Sequence, residues 1–415
     1  MKKLVKPSKI SGQVTAPASK SMAQRAIAAA LLAKEPARIL NLTFSKDVEA
    51  ALRVITALGA RVTVKEREVL VEGGLNPTGE LLNCGEAGLS MRMFSAIAAL
   101  WHEELTLSGE GSLVSRPVTM IEAPLRQLGV NVVSTAGCPP LTVKGPLKGG
   151  EAEVNGSISS QFLSGLLLAL PAAGGDSKLS VKDLKSTPYI DMTLALLRHC
   201  GIEVRHSDYR TFFIAGKQEY KLGEYRVEGD WSGASFLVAA GAIGGSVKVT
   251  GLDTKSPQAD RCILAALRAA GAEVKESADA VEISAGELCA FEFDATHCPD
   301  LFPPLVALAC NCSGVTELKG VERLKFKESD RAAVLHKEFS ALGAKISIAG
   351  DVMKIEGVKL NGGTIDSHND HRIAMAGALA GINARAPVTI LGAECVSKSY
   401  PDFFEDFVSI GGHCA

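Results

Sequence analysis

A chain of 415 residues, at about 150 per domain, has room for two or three domains and a large buried core. Hydrophobic residues make up 47% and charged ones 22%, and 44 Lys plus Arg nearly balance 46 Asp plus Glu. That excludes a disordered chain and a general polyanion-binding surface, so no nucleic acid is expected as partner. The ten cysteines show no C-x-x-C pair and no repeated His/Cys spacing, which favours a reduced, cytoplasmic setting over a disulfide scaffold or zinc site.

The opening residues, Met1-Lys-Lys-Leu-Val-Lys-Pro7, are charged and lack an apolar run, so no signal peptide is expected. Residues 3–15 read as a strand. An apolar, small-residue helix then begins near Ser21, followed by the strand Arg38-Ile-Leu-Asn-Leu42 and a helix ending on Leu58-Gly59-Ala60. A hairpin closes the series, Val62-Thr-Val-Lys65 with Glu68-Val-Leu-Val71. The order strand, helix, strand, helix, strand, strand recurs along the chain. Apolar helices begin near Ser21, Ser90, Ser160, Ser232, Asp300 and Asp370. The helix-ending glycines, Gly59, Gly129, Gly201, Gly271, Gly343 and Gly411, step by 70, 72, 70, 72 and 68. Residues 156–175 carry no charge, but Pro171 interrupts them and their unbroken apolar core, 166–170, is far shorter than the ~20 residues of a membrane span. No membrane association is expected.

The last copy stops at Ala415 without a hairpin, while residues 3–15 precede the first helix unassigned. We therefore expect the N-terminal segment to complete the unit left open at the C-terminus. The predicted fold class is α/β (α+β), an inside-out α/β barrel in two domains of three β-α-β-α-β-β units each. One domain would hold residues 1–18 and 229–415, the other 19–228. The unit-opening helices, such as Leu163-Ser-Gly-Leu-Leu-Leu-Ala-Leu170, are apolar all round and belong inside. Their N-termini would face one way and form an anion trap.

The junctions before these helices carry the polar residues. They include Ser19-Lys20-Ser21 with Arg25, Gly88-Leu-Ser90-Met-Arg92, Ser159-Ser160-Gln161, Asp300, and Asp370-His371-Arg372. Arg116, Arg331 and Lys398 also sit beside Ser, Pro or Asp at loop boundaries. Guanidinium forks suit phosphate and carboxylate, so a cleft for two small anions is the expected reading. No P-loop, G-x-S-x-G elbow or H-E-x-x-H occurs, and His368 with His371 lacks further ligands at metal spacing, so no metal is expected.

Several runs together are highly specific: Lys20-Ser-Met-Ala-Gln-Arg25, Gly85-Glu-Ala-Gly-Leu-Ser-Met-Arg92, Arg116-Pro117, Ser159-Ser-Gln161, Lys327-Glu-Ser-Asp-Arg331, Asn369-Asp-His-Arg372 and Lys398-Ser-Tyr-Pro401. In this order and over the whole chain they resemble the enolpyruvyl transferases, in the branch that acts on shikimate 3-phosphate. The resemblance implies that the 5-hydroxyl of shikimate 3-phosphate adds to C2 of phosphoenolpyruvate and phosphate then leaves. It implies no metal or organic cofactor, small-molecule partners only, and a monomer. Carried over by motif, Lys20, Ser21, Arg25, Ser159, Ser160, Gln161, Ser186, Tyr189, Asp300 and Lys327 would contact shikimate 3-phosphate. Lys20, Gly88, Arg116, Gln161, Arg331, Arg372 and Lys398 would hold phosphoenolpyruvate. Asp300 resembles the proton acceptor and Glu328 the proton donor, with Lys20 between the ligands. The chemistry agrees independently, since protonating an enol carbon while deprotonating an alcohol needs paired acid and base groups in a positive, dry cleft.

Leu89 and Met93 depart from the residues common in the family beside the phosphoenolpyruvate pocket, which leaves inhibitor response open. Arg323 stands where some members use Asn. The nearest alternative, the sister enzyme acting on UDP-N-acetylglucosamine, carries a reactive Cys just before its Arg-Pro, whereas residues 109–117 contain none. A non-catalytic anion-binding paralogue would lack the acidic pair that Asp300 and Glu328 supply.

Overall fold

Six helices end in the same hydrogen-bonded turn. The amide of Ala60 donates to the carbonyl of Ile55, and matching six-to-one bonds run from Val130 to Leu125, Ile202 to Leu197, Ala272 to Leu267, Ala344 to Phe339 and Gly412 to Phe407. The glycine inside each turn has a φ between +75° at Gly201 and +111° at Gly59, a region glycine enters without a Cβ clash. The turn reverses the chain into a hairpin strand and so spaces the repeat.

The structure, a computed structural model, describes all of residues 1–415. The chain divides into two compact units, Met1–Ser19 with Glu228–Ala415, and Lys20–Val227. Each unit holds three four-stranded sheets around three buried helices. In Lys20–Val227 those helices are Lys20–Leu32, Gly88–Ala98 and Gln161–Ala169. In the other unit they are Trp231–Gly244, Phe302–Ala309 and His371–Ile382. Every residue of Gly88–Ala98 and of His371–Ile382 is buried, as expected for helices without a polar face. Leu166, Leu167 and Leu168 are wholly shielded, and each contributes about 2 kcal/mol by leaving water.

Each sheet begins with a parallel pair and continues antiparallel, and in four of the six a buried helix links the two parallel strands; the exceptions are Glu224–Arg226 beside Ala37–Leu40 and Ile10–Thr15 beside Gly245–Thr250. Gly150–Asn155 runs parallel to Ser177–Lys182, which pairs antiparallel with Thr211–Ile214, itself antiparallel to Val204–Ser207. Along Ser177–Lys182 buried residues alternate with more exposed ones, so one face covers the helices and the other meets solvent.

The N-terminal segment differs from the single strand predicted for residues 3–15. Lys2–Lys6 lies between Val388–Leu391 and the short strand His413–Cys414, antiparallel to both. Ile10–Thr15 instead runs parallel to Gly245–Thr250 in another sheet. Pro7 has no amide to donate, and the Ser8 hydroxyl donates back to the Lys6 carbonyl at 2.6 Å, so the strand stops between them. The C-terminal copy ends in one short strand, His413–Cys414, with no hairpin partner of its own; it pairs with Lys2–Lys6.

Candidate active site

In the unit Lys20–Val227, the first turns of the three buried helices are tied in a ring. Gln24 Nε2 donates to Ser90 Oγ at 3.0 Å, Arg92 NH1 to Gln161 Oε1 at 2.8 Å, and Arg25 NH2 to Ser164 Oγ at 3.3 Å. Their N-terminal ends therefore meet, and the positive ends of three helix dipoles add at one place. Lys20 opens the first helix and its Nζ lies 2.8 Å from Asp47 Oδ2, with Ser21 half-buried beside it.

Arg25 is 1% exposed and spends its fork on the protein. Nε donates to Thr193 Oγ1 at 2.9 Å, NH1 to the Ser21 carbonyl at 2.9 Å, and NH2 to the Tyr189 carbonyl at 3.2 Å. Burial lowers its pKa to about 10, against the opposing influence of Tyr189 and Tyr225. Gly88 makes room for two guanidinium groups: a Cβ there would stand 2.8 Å from Arg116 NH1 and 3.0 Å from Arg92 NH1. Ser159 Oγ accepts from the Gln161 amide at 3.2 Å, while the Ser160 side chain is buried and makes no helix cap. Ser186 is buried with φ +56°, in the left-handed region that non-glycine residues enter seldom. Tyr189 follows three residues on, half-buried, at the start of the helix Pro188–His199.

In the other unit, Arg331 gathers three carboxylates around one guanidinium that is 1% exposed. Nε lies 2.7 Å from Asp370 Oδ2, NH1 lies 2.6 Å from Asp300 Oδ1, and NH2 pairs with Glu328. Asp300 is also met by Lys327 Nζ at 3.1 Å and Arg372 NH2 at 3.3 Å. Asp300 lies in the turn Pro299–Leu301 and caps no helix. The cap of His371–Ile382 is Asp370, whose Oδ1 accepts from the Arg372 amide at 3.0 Å. Lys398 Nζ reaches the carbonyl of Asn369, just before that helix, at 2.7 Å.

The charges set one another. Burial alone would push the Asp300 carboxyl up, but Arg372, Lys327 and Arg331 together hold it well below the usual carboxylate range. Burial lowers the Lys327 ammonium despite Asp300. Burial also acts against the Arg331 cation, yet Asp370, Glu328 and Asp300 outweigh it and raise that guanidinium well above its ordinary value. Asp300 is therefore ionised at neutral pH, the state a proton acceptor needs.

Each nominated residue thus falls into one of two groups. Lys20, Ser21, Arg25, Gly88, Arg116, Ser159, Ser160, Gln161, Ser186 and Tyr189 lie in Lys20–Val227. Asp300, Lys327, Glu328, Arg331, Arg372 and Lys398 lie in the other unit, five of them joined through Asp300 and Arg331. Sequence reasoning placed Arg92 and Asp370 at helix junctions without giving them a site role, and it missed Asp47 and Asp260 altogether. Only Asp370 carried a usable signal, an Asp immediately before an apolar helix.

The sequence profile of a family described as EPSP synthase (3-phosphoshikimate 1-carboxyvinyltransferase) matches residues 4–407. The chain is similar to the 3-phosphoshikimate 1-carboxyvinyltransferase of Clostridium kluyveri, 39% identical over 412 residues that cover 98% of this chain and 97% of the relative. It is likewise similar to that of Aeropyrum pernix, 39% identical over 409 residues, covering 98% and 95%. Among solved structures, an EPSP synthase from Acinetobacter baumannii superposes with a TM-score of 0.84 at 26% identity, covering 100% of this chain and 99% of the other.

Proposed function

This chain belongs to the EPSP synthase (3-phosphoshikimate 1-carboxyvinyltransferase) family, and on that premise we propose how its residues divide the work. The enzyme transfers the enolpyruvyl group of phosphoenolpyruvate to the 5-hydroxyl of shikimate 3-phosphate and releases phosphate, in the shikimate pathway to aromatic amino acids. In our reading, Lys20, Ser21, Ser159, Ser160, Gln161, Ser186, Tyr189 and Lys327 receive shikimate 3-phosphate, with Arg25 supporting that pocket through Ser21 and Tyr189. Gly88, Arg116, Gln161, Arg331, Arg372 and Lys398 hold phosphoenolpyruvate, and Lys20 serves both ligands.

Glu328 gives a proton to C3 of phosphoenolpyruvate as the 5-oxygen bonds to C2, and Asp300 takes the hydroxyl proton. In the second half the C2–O bond to phosphate breaks, C3 returns a proton to the Glu328 carboxylate and restores the double bond, and the proton on Asp300 leaves with phosphate. Charge builds on the departing phosphate, where guanidinium forks stabilise it most. The observation that carries this reading is the shared Arg331, which holds the acceptor Asp300 and the donor Glu328 on one rigid cation. Bound anions would compete for Arg372, Lys327 and Arg331, and so return basicity to Asp300 and let Glu328, a carboxylate while paired with Arg331, take up the proton it gives.

Both units contribute to one pair of substrates in this proposal, as domains 1–18 with 229–415 and 19–228, in a monomer acting in the cytoplasm. Phosphate release with both substrates, and with each omitted in turn, tests the reaction. Release that does not require shikimate 3-phosphate would defeat it. Small-angle scattering should show compaction when that ligand is added.

A further inference from the structure

The geometry points to a positioning residue outside that set: we propose that Asp260 orients Arg372 toward phosphoenolpyruvate through the hydroxyl of Ser232. The proposal rests on the assignment of Arg372 to that substrate. Asp260 lies in the turn Ala259–Cys262 and is 2% exposed. Ser232 donates its hydroxyl proton to Asp260 Oδ2 and accepts from Arg372 NH2 at 2.6 Å. A hydroxyl has one proton, so giving it to Asp260 turns the lone pairs onto the guanidinium. The carboxylate thereby fixes the polarity of the contact, and with it the rotation of the Arg372 fork. The fork's contacts to Asp300, at 3.3 Å to Oδ2 and 3.5 Å to the carbonyl, are longer.

Packing does not account for a charge here. Asp300 from the turn Pro299–Leu301 and Asp230 capping Trp231–Gly244 both repel it, while Arg372 and the Ser232 hydrogen bond favour it. No hydrogen bond reaches the buried Oδ1 of Asp260. A carboxylate held under those conditions has the Arg372 guanidinium as the cation it faces.

Steady-state kinetics on Asp260→Asn, Ser232→Ala, their double variant and Arg372→Ala tests this. Both single variants should raise KM for phosphoenolpyruvate about tenfold, with kcat changed less than about twofold and KM for shikimate 3-phosphate unchanged, for a tenfold effect corresponds to one lost charge-assisted contact. The double variant should be no worse than the weaker single, because both act along one chain of contacts. An unchanged KM for phosphoenolpyruvate in both singles, a joint fall in kcat and rise in both KM values, or additive effects would overturn the proposal. Arg372→Ala separates the two levels. If it raises KM for phosphoenolpyruvate while the singles do not, Asp260 has no such role; if it has no effect, the substrate assignment falls as well.

A different observation carries a second inference. The thiols of Cys262 and Cys298 lie 3.1 Å apart, two residues after Asp260 and two before Asp300. We infer that this pair is a redox switch closed by peroxide. Cys262 is half-buried and Cys298 is buried, so an oxidant meets Cys262 first. The hydrogen bond to Cys262 and then burial push the Cys298 thiol far up, so Cys298 stays protonated until Cys262 has met the oxidant. Cys262 displaces water from hydrogen peroxide and becomes a sulfenic acid. The Cys298 sulfur then displaces a second water to form the disulfide, so two electrons pass to the peroxide and both thiol protons end in water. Disulfide formation brings the sulfurs about 1 Å closer and draws the turns bearing Asp260 and Asp300 together.

Peroxide should lower kcat at least about fivefold, dithiothreitol should restore it, and peptide mapping should find a Cys262–Cys298 link, since a 1 Å displacement near the chemistry costs rate heavily. Cys262→Ser should keep its basal activity and resist peroxide. Equal inactivation of that variant, or inactivation without the link, would overturn the inference.

Discussion

Arg331 shows how one buried cation organises a site. It touches Asp300, Glu328 and Asp370 at once, so no one of these acids can be altered in isolation. Asp300→Asn or Glu328→Gln should cut kcat by at least ~10²-fold while both substrates still bind, measured by single-turnover assay and titration calorimetry. Asp260 makes a prediction of opposite sign for stability. Burial, then the charge of Asp300, pushes its carboxyl up to about 6, against Arg372 and the Ser232 hydrogen bond. A raised folded-state pKa means stability is full below the unfolded value near 4 and is lost as pH rises through about 6. Asp260→Asn removes that loss, on the order of 2–3 kcal/mol, so its gain in Tm should be larger at pH 8 than at pH 5. The same change that weakens phosphoenolpyruvate binding would thus stabilise the fold. At this scale the sequence was only partly legible. Lys20 beside two serines, Arg331 beside Asp330 and Arg372 two residues after Asp370 announce themselves at junctions. Asp47 and Asp260 do not, because each is set by a partner 27 to 112 positions away that only tertiary packing supplies.

Among elements, the glycine turns were the most legible feature, since helix, cap and strand start are coded within six residues. Their tolerance differs all the same. At Gly129 no atom lies within 4 Å of an added Cβ, so Gly129→Ala should cost only the left-handed backbone, about 1–2 kcal/mol. At Gly59 the Cβ would meet the Asn76 carbonyl at 2.4 Å, so Gly59→Ala should cost clearly more. Urea denaturation of the two variants checks the order. The N-terminal segment was less legible because alternation marks a strand without saying which sheet receives it. Its split at Pro7 depends on two different neighbours, Val388–Leu391 and Gly245–Thr250, both more than 200 positions downstream.

At the level of the whole molecule, the two units differ in how their chain is assembled. Lys20–Val227 is continuous, whereas the other unit needs residues from both ends. Val5 is fully buried in the strand Lys2–Lys6, so deleting residues 1–6 should expose Val388–Leu391 as an open edge. Amide exchange should then quicken in residues 363–415 and stay unchanged in 20–227. The fold class and the repeat could be read from one sequence because six local copies reinforce a single pattern. The acid clusters could not, because no copy of the repeat contains a whole one.

The strand at the start of the chain also orders events on the ribosome. Lys2–Lys6 pairs with His413–Cys414, and the amides of Leu4 and Ala415 exchange bonds with each other's carbonyls at 2.8 and 3.0 Å. Lys2–Lys6 must therefore wait unpaired until Val388–Leu391 and then His413–Cys414 have been made, while Lys20–Val227 is already available in the nascent chain. Joining Ala415 to Met1 through a short linker and reopening the chain in an exposed loop would end that wait.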